Sequence, residues 1–148
     1  MTSIVTVERV IPAPADRIFA LLVDPARHCD IDGSGTVVAA KEGSARLKMG
    51  DRFGMDMKMG VAYSMISTVI ELDEDRCIAW QTRGKKGKGG GRIWRYELEP
   101  VDGGTRVRES WDITHETPLS KPLVRLGAGR TRKAMTATLE RIEELVRS

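Results

Sequence analysis

The sequence predicts an α+β domain in which a curved, seven-stranded antiparallel sheet wraps around a long C-terminal helix. Three observations predict this class. Alternating β-branched residues begin the chain at residues 3–11, two short helical segments follow, and an amphipathic stretch ends the chain at about residues 119–147. A sheet that curves strongly around one helix rarely closes its core completely, so we expect a cavity between the two.

The C-terminal stretch has two apolar stripes that do not line up. They are Met135, Leu139, Ile142 and Val146 in the second half, and Leu119, Leu123 and Leu126 in the first half. At ~100° per residue the stripes lie about a third of a turn apart. Gly127 and Gly129 lie between them, and each interior glycine costs about 1 kcal/mol relative to alanine. We therefore expect a bend or break there, with the second half packed on the sheet and the first half forming a looser lid.

The remaining elements follow in chain order. Pro12 and Pro14 end the first strand, helical spacing predicts a helix over residues 15–23, and Pro25 begins a second short helix that reaches about residue 29 or 30. Six further strands are predicted at residues 36–42, 48–60, 61–72, 77–82, 91–101 and 105–114. Turns are predicted at residues 32–35, 42–44, 73–75 and 102–104, with a hinge at Gly60. The glycine- and lysine-rich residues 84–91 are expected to form a hairpin tip. Residues 1–148 are read as one domain.

Composition excludes several classes of protein. Hydrophobic residues make up 41% and charged residues 30% of the 148 positions, as in ordinary globular domains. No apolar run approaches the roughly 18 residues of a membrane span. A strand pattern begins at once, so we expect no signal peptide and a cytoplasmic location. Cys29 and Cys77 lack a metal-binding or redox spacing and are expected to be reduced structural thiols.

Positive charge is clustered although the net charge is only +3. Two groups contain no acidic residue: Arg83, Lys85, Lys86, Lys88, Arg92 and Arg95 form the first, and Lys121, Arg125, Arg130, Arg132 and Lys133 form the second. Each group is either a solvated surface or a site for an anionic partner. The basic residues lack interleaved aromatic residues, so nucleic-acid binding is not expected.

Three stretches resemble the SRPBCC superfamily of START-like, helix-grip proteins, which includes polyketide cyclase/dehydrase-type domains. They are VIPAPADRIFALLVDP at residues 10–25, TVIELD followed by IAW at residues 68–80, and GGTRVRESW at residues 103–111. The segments IDGSG at residues 31–35 and MDMKM at residues 55–59 are similar to a bacterial subgroup without an assigned activity. The resemblance implies a helix-grip fold with a hydrophobic cavity between sheet and helix, but one fold hosts many functions.

Alternation along the strands predicts which side chains line that cavity. In each strand the apolar members of the alternation must face inward. The predicted lining is Phe53, Met55, Met57 and Met59 in the third strand, Trp94 and Tyr96 in the sixth, and Trp111 in the last, with Tyr63 and Trp80 as further candidates. One phenylalanine and three methionines on the same face of the third strand would give an adaptable, polarizable wall. The alternative is a core that uses methionine as filler.

Glu109 shares the inward face of the last strand with Val107, Trp111 and Ile113. An unpaired carboxylate among apolar neighbours is costly to bury, and its pKa should rise. Glu109 is therefore the best candidate for a polar anchor or a proton-transfer group. The alternative is a structural partner for a basic residue or a backbone amide.

The two histidines do not predict a metal site. His28 and His115 are not part of a spaced ligand cluster, so we expect neither a metal nor another cofactor. His28 could act as an acid or base at the cavity mouth beside Asp30 and Asp32, or it could be a surface or helix-end residue. No nucleophile elbow or phosphate-binding loop is present in the sequence.

These observations leave three functions open. The leading hypothesis is a carrier or sensor for a small hydrophobic or amphipathic molecule, such as a lipid, a polyketide-like or an aromatic compound. Under this hypothesis Leu126 contacts the ligand and Arg130 attracts an acidic head group of the ligand. The second is a cyclase- or dehydratase-type enzyme that uses Glu109 with Tyr63 or His28. The third is a protein-interaction module that uses the basic clusters. The sequence does not determine the oligomeric state.

Overall fold

The structure of the protein is a computed structural model. It describes residues 4–32, 37–40, 46–59, 61–84, 90–118 and 121–147. For residues 29, 37–40, 55–59 and 61–64 it describes the backbone alone. The predicted turns at 33–35 and 42–44, the hinge at Gly60, the centre of the 84–91 tip and Leu119 lie outside the described residues.

Seven strands and four helices make up the described part of the chain. The strands are β1 Ile4–Ile11, β2 Val37–Ala40, β3 Arg52–Met59, β4 Val61–Asp73, β5 Cys77–Gly84, β6 Gly90–Val101 and β7 Gly104–Asp112. The helices are α1 Ala15–Leu22, α2 His28–Ile31, α3 Lys121–Leu126 and α4 Ala128–Arg147, with a 3₁₀ turn at Pro25–Arg27 before α2.

The sheet follows the order β1-β7-β6-β5-β4-β3-β2, and all neighbouring strands are antiparallel. β1 and β2 therefore lie at opposite edges of the sheet, and α1 and α2 belong to the connection between them. The predicted fold class is confirmed: a seven-stranded antiparallel sheet, a long C-terminal helix and two short helices between the first two strands.

The core is formed where α4 lies against the sheet. Met135, Leu139, Ile142 and Val146 are all buried, as their spacing predicts. The last three pack in the main cluster with α1 and the inner face of the sheet. Met135 belongs to a second, smaller cluster with Trp111. One helix face thus joins both clusters.

The predicted break in the C-terminal helix is confirmed, but the orientation predicted for the first apolar stripe is wrong. α3 ends at Leu126 and α4 begins at Ala128, so Gly127 separates two helices. Leu123 and Leu126 are 74% and 78% exposed. Val124, which points about 100° away from Leu123, packs against the smaller cluster instead. Because Val124 takes the core contact, the two leucines face away from the core.

The third strand begins later than the sequence predicts. Gly50 adopts a left-handed conformation with φ of 85°, and the Lys48 N–H donates a 2.8 Å hydrogen bond to the Asp51 carboxylate. A turn of this kind is incompatible with extended pairing. β3 therefore starts at Arg52 rather than at residue 48.

The β6–β7 hairpin has a close backbone approach that requires glycine. Gly103 has φ of 85° in the turn, and an ideal Cβ on Gly104 would lie 2.1 Å from the Ile11 carbonyl oxygen. Any side chain at position 104 would therefore collide with the backbone of β1.

None of the described helices is both long enough and apolar enough to cross a membrane. The thiol of Cys77 is free, while the side chain of Cys29 lies outside the described part of the chain.

Replacing Ile142, which is fully buried, tests the role of the α4 face. We expect Ile142→Ala to lower the free energy of unfolding by about 2–5 kcal/mol, because a cavity remains after the transfer energy is lost. Leu123→Ala is the matched control and should change it by less than about 0.5 kcal/mol, since Leu123 is exposed. Urea unfolding followed by circular dichroism measures both. Equal losses would show that α4 is not the main anchor of the core.

Candidate functional site

Glu109 and Tyr96 form a buried polar pair on the inner face of the sheet. The β6–β7 register places the two residues directly opposite each other. The Tyr96 hydroxyl donates a 2.8 Å hydrogen bond to Oε2 of Glu109. The Glu109 side chain is 2% exposed and Tyr96 is also buried. Directly opposed side chains on one face of an antiparallel pair are close neighbours, so the pair follows from strand register.

One oxygen of the Glu109 carboxyl has no partner. Oε1 is buried and makes no hydrogen bond with any described residue. Burial raises the pKa of Glu109 to about 8; the hydrogen bond from Tyr96 acts in the opposite direction, and the charge of Asp32 raises it further. Glu109 is therefore mainly protonated at pH 7. The predicted carboxylate among apolar neighbours is found, and its partner is a phenol rather than a basic residue or a backbone amide.

Tyr96 keeps its proton throughout the physiological range. Burial raises the pKa of Tyr96 well above its usual value, and the charge of Glu109 and the hydrogen bond to it act in the same direction. Because the phenol donates its only proton to Oε2, a proton carried by the carboxyl is available on Oε1.

His28 is a buried residue, which corrects the alternative that places it on the surface. It begins α2, is 7% exposed, and its Nε2 lies 2.9 Å from the Leu22 carbonyl oxygen. Burial lowers the pKa of His28, while the Leu22 carbonyl and the charges of Asp24 and Asp32 act in the opposite direction. The ring is thus neutral at pH 7. A carbonyl oxygen only accepts, so Nε2 holds the proton and Nδ1 has a free lone pair.

Tyr96 of the Glu109–Tyr96 pair belongs to a group of packed aromatic rings. Trp80 lies at their centre: its ring centroid is 5.0 Å from His28 in a stacked arrangement, 5.5 Å from Phe53 edge-on, and 5.7 Å from Tyr96. His28 and Phe53 also meet edge-on at 5.4 Å. Such geometries are those that aromatic quadrupoles favour. We call His28, Phe53, Trp80, Tyr96 and Glu109 the inner cluster.

Two further tryptophans lie beside the inner cluster. Trp94 is opposite both Trp80 and Trp111 in the sheet, and the Trp94 and Trp111 ring centroids are 6.3 Å apart. Trp111 is buried and Trp94 is half-buried. The row of tryptophans therefore connects the inner cluster to the smaller core cluster at Met135.

The structure brings together only part of the predicted lining. Phe53, Trp80, Tyr96, Glu109 and the candidate base His28 meet, with Trp94 and Trp111 adjacent. Leu126 and Arg130 are exposed on α3 and α4, so neither contributes to the buried site. The side chains of Met55, Met57, Met59 and Tyr63 lie outside the described residues, and their predicted lining role stays a prediction.

Two features of the site have no signal in the sequence. One is the contact of His28 with Trp80, which joins a short helix before β2 to the middle of the sheet. The other is the influence of Asp32, whose charge acts on both Glu109 and Tyr96. Alternation within strands predicts inward faces, but it says nothing about how α2 packs on them.

Among the side chains that the structure describes, no group of three or more histidine, cysteine, aspartate or glutamate residues could hold a metal ion. The polar groups of the inner cluster are the Glu109 carboxyl, the Tyr96 phenol and the neutral His28 imidazole. The carboxyl and the phenol can each donate a hydrogen bond. This set can bind a polar ligand atom or move a proton.

The chain belongs to the family described as polyketide cyclase / dehydrase and lipid transport, whose model matches residues 2–147. This confirms the resemblance to SRPBCC proteins that the sequence motifs indicate. The helix-grip arrangement of sheet and C-terminal helix is therefore the fold of a known family.

Among curated proteins, the chain is similar to the uncharacterized protein Rv0088 of Mycobacterium tuberculosis H37Rv. The two are 36% identical over 104 residues, which cover 69% of this chain and 44% of that protein. The matching protein MT0096 of strain CDC 1551 is 35% identical over the same length. The matched region is thus less than half the length of these relatives.

Solved structures support the fold. Protein CV1439 from Chromobacterium violaceum has a TM-score of 0.76 at 17% identity, covering 100% of this chain and 99% of that one. Protein Ms6760 from Mycobacterium smegmatis has a TM-score of 0.73 at 20% identity, covering 97% and 90%. An AHSA1-like protein from Aeromonas hydrophila has a TM-score of 0.66 at 15% identity, covering 96% and 93%.

Titration of Glu109 should appear in the stability of the protein. Between about pH 5 and pH 8 the folded protein holds a proton on Glu109 that the unfolded chain has released, so the free energy of unfolding falls as pH rises. Glu109→Gln removes this dependence. The difference in unfolding free energy, variant minus wild type, should rise by about 1.4 kcal/mol per pH unit in this window. His28 contributes the same pH dependence to the wild type and the variant. The difference between their unfolding free energies, measured by urea unfolding at each pH, therefore reports on Glu109 alone. Parallel curves of unfolding free energy against pH would contradict burial of a carboxyl with one unpartnered oxygen.

Proposed function

We propose that the protein binds a small hydrophobic or amphipathic molecule between the sheet and α4, as a carrier or a sensor. The observation that carries this proposal is the unpartnered Oε1 of Glu109, a buried atom of a carboxyl whose other oxygen is held by Tyr96. A buried polar atom without a partner costs about 1–3 kcal/mol, so a ligand atom that supplies the missing hydrogen bond gains that much. The family, whose description includes lipid transport, supports the same class of function.

The protonation of the pair indicates the polar group of the ligand. Tyr96 donates to Oε2, which leaves the carboxyl proton on Oε1 as a donor. A donor of this kind matches a neutral acceptor, such as a ketone, ester or amide oxygen. Arg130, the residue expected to attract an acidic head group, is exposed and outside the inner cluster. We therefore propose a ligand with a carbonyl group rather than a free carboxylate at its buried end.

The aromatic side chains indicate the rest of the ligand. Trp80 packs against Tyr96, the partner of Glu109, and Phe53 packs against Trp80, so both rings offer flat apolar faces within the inner cluster. Burial of ligand carbon against such faces contributes about 25 cal/mol per Å² of apolar area. Planar rings or extended alkyl chains both suit this wall, and the carbonyl fixes their orientation at one end.

A second candidate function is supported by the titration of Glu109. A carboxylic acid with a pKa of about 8 is suited to proton transfer near neutral pH. In a dehydratase, Glu109 would protonate a departing β-hydroxyl, the C–O bond would break to release water, and Nδ1 of neutral His28 would take the α-proton as the C=C bond forms. The family description, polyketide cyclase / dehydrase, includes this chemistry.

The binding hypothesis can be tested with a matched pair of ligands, a long-chain methyl ketone and the alkane of the same length. We expect Glu109→Leu to weaken binding of the ketone about five- to 150-fold, which corresponds to the roughly 1–3 kcal/mol of the lost hydrogen bond, and to leave the alkane unaffected. Glu109→Gln, which keeps an N–H donor, should retain most of the ketone affinity. Quenching of tryptophan fluorescence measures both ligands, since Trp80 lies in the inner cluster. Equal effects on ketone and alkane would exclude Glu109 as the polar anchor.

Native mass spectrometry of freshly purified protein can detect the natural ligand without a test compound being chosen beforehand. A co-purifying molecule that carries a carbonyl would support the proposal. A co-purifying molecule that is lost in Arg130→Ala but not in Glu109→Leu would overturn the assignment of the anchor.

The enzyme hypothesis predicts a different outcome for Glu109→Gln. With a β-hydroxyacyl thioester as substrate, this variant should lower kcat about 10²- to 10⁴-fold, and the wild-type rate should fall as pH rises through about 8. Glu97→Gln is the control, because Glu97 is an exposed carboxylate on the opposite face of β6. Ultraviolet absorption of the enoyl product measures the rate. Absence of turnover in the wild type would leave binding as the function of the site.

A further inference from the structure

The second acid-free basic group lies on a surface that also exposes apolar side chains. Between Glu116 and Glu140 the sequence contains no aspartate or glutamate and five basic residues: Lys121, Arg125, Arg130, Arg132 and Lys133. This stretch forms α3 and the first three turns of α4. It therefore carries a local positive field that no acidic residue of the same stretch offsets.

The outer face of α3 is apolar. At ~100° per residue, Pro122, Leu123 and Leu126 fall within about 100° of one another. All three are exposed, and the two leucines are 74% and 78% exposed. Large exposed apolar side chains that lie together mark interaction surfaces, whereas isolated ones need no explanation.

The core side of α3 is already occupied. Val124 packs against the cluster of Trp111 and Met135, and this contact fixes the helix with its leucines outward. The outward direction of Leu123 and Leu126 is thus a consequence of packing, not of a loose helix.

Three of these basic residues are available to a partner. Arg130 and Lys133 are exposed and Lys121 is half-buried, and within the described residues none of the three forms an ion pair. The first basic group differs in this respect. There Arg92 pairs with Glu116 and Arg95 pairs with Glu71, so part of its charge is neutralised.

We propose that α3 and the first turns of α4 dock on an anionic lipid membrane surface. Leucines flanked by lysine and arginine on a short helix suit the boundary between head groups and acyl chains. The leucines enter the apolar layer, while the basic residues contact the phosphate and carboxylate groups of the lipid. Each basic residue near an anionic leaflet raises the partition coefficient about fivefold, and a six-residue helix anchors weakly, so docking is reversible.

Charge complementarity selects this occupant over a second copy of the chain. Two copies of an acid-free stretch that exposes Arg130 and Lys133 repel each other across a twofold axis. An anionic membrane, by contrast, attracts both the charges and the leucines.

Co-sedimentation with vesicles tests the proposal with the full chain. We expect binding to vesicles of phosphatidylcholine mixed with phosphatidylserine, and at least tenfold weaker binding to phosphatidylcholine alone. Leu123→Ser combined with Leu126→Ser should lower binding to the mixed vesicles about tenfold or more. Arg130→Ala combined with Lys133→Ala should lower it by a similar factor and reduce its sensitivity to salt.

Val10→Ser is the matched control, because Val10 is also exposed but lies on β1, outside α3 and α4. It should leave vesicle binding unchanged. Thermal unfolding of each variant checks the fold, which exposed substitutions should preserve. Equal binding to both kinds of vesicle, or no binding to either, would overturn the proposal. Sedimentation velocity gives a third test. If replacing the two leucines abolishes self-association and leaves vesicle binding intact, the surface binds a second copy of the chain instead.

Discussion

Burial of one face of α4 against the curved sheet is the constraint on which the rest of the structure depends. Leu139, Ile142 and Val146 pack with α1 and the inner face of the strands, and Met135 extends the contact to a second cluster. The main cluster also contains Trp80 and Tyr96, and Phe53 packs against it, so the inner cluster is continuous with the core that α4 forms.

The sequence predicts well those features that depend on periodicity within one element. The alternation in β7 places Glu109 on the buried face, and the spacing in α4 identifies its core side; the structure confirms both. The two glycines, Gly127 and Gly129, likewise locate the helix break. In each case the signal is local, because side-chain direction follows from 2.0 or 3.6 residues per repeat.

Features that depend on contacts between elements escaped prediction. The alternation in β6 predicts Tyr96 on the inner face, yet only the β6–β7 register identifies it as the partner of Glu109. The stacking of His28 on Trp80 depends on how α2 packs over the sheet. The leucine stripe predicts that Leu126 contacts a ligand, but a stripe shows only that one face is apolar and not which surface that face meets. Once Val124 takes the core contact, Leu126 must face outward.

The close approach at Gly104 has a consequence for how the sheet assembles. A slip of β1 by two residues along β7 would preserve the alternation of inside and outside, so hydrophobic burial alone would not reject it. Such a slip would bring Asp102 or Arg106 to the place where Gly104 now meets the Ile11 carbonyl oxygen, and a β-carbon there collides with the backbone. A missing side chain thus selects a single alignment of the first strand with the last.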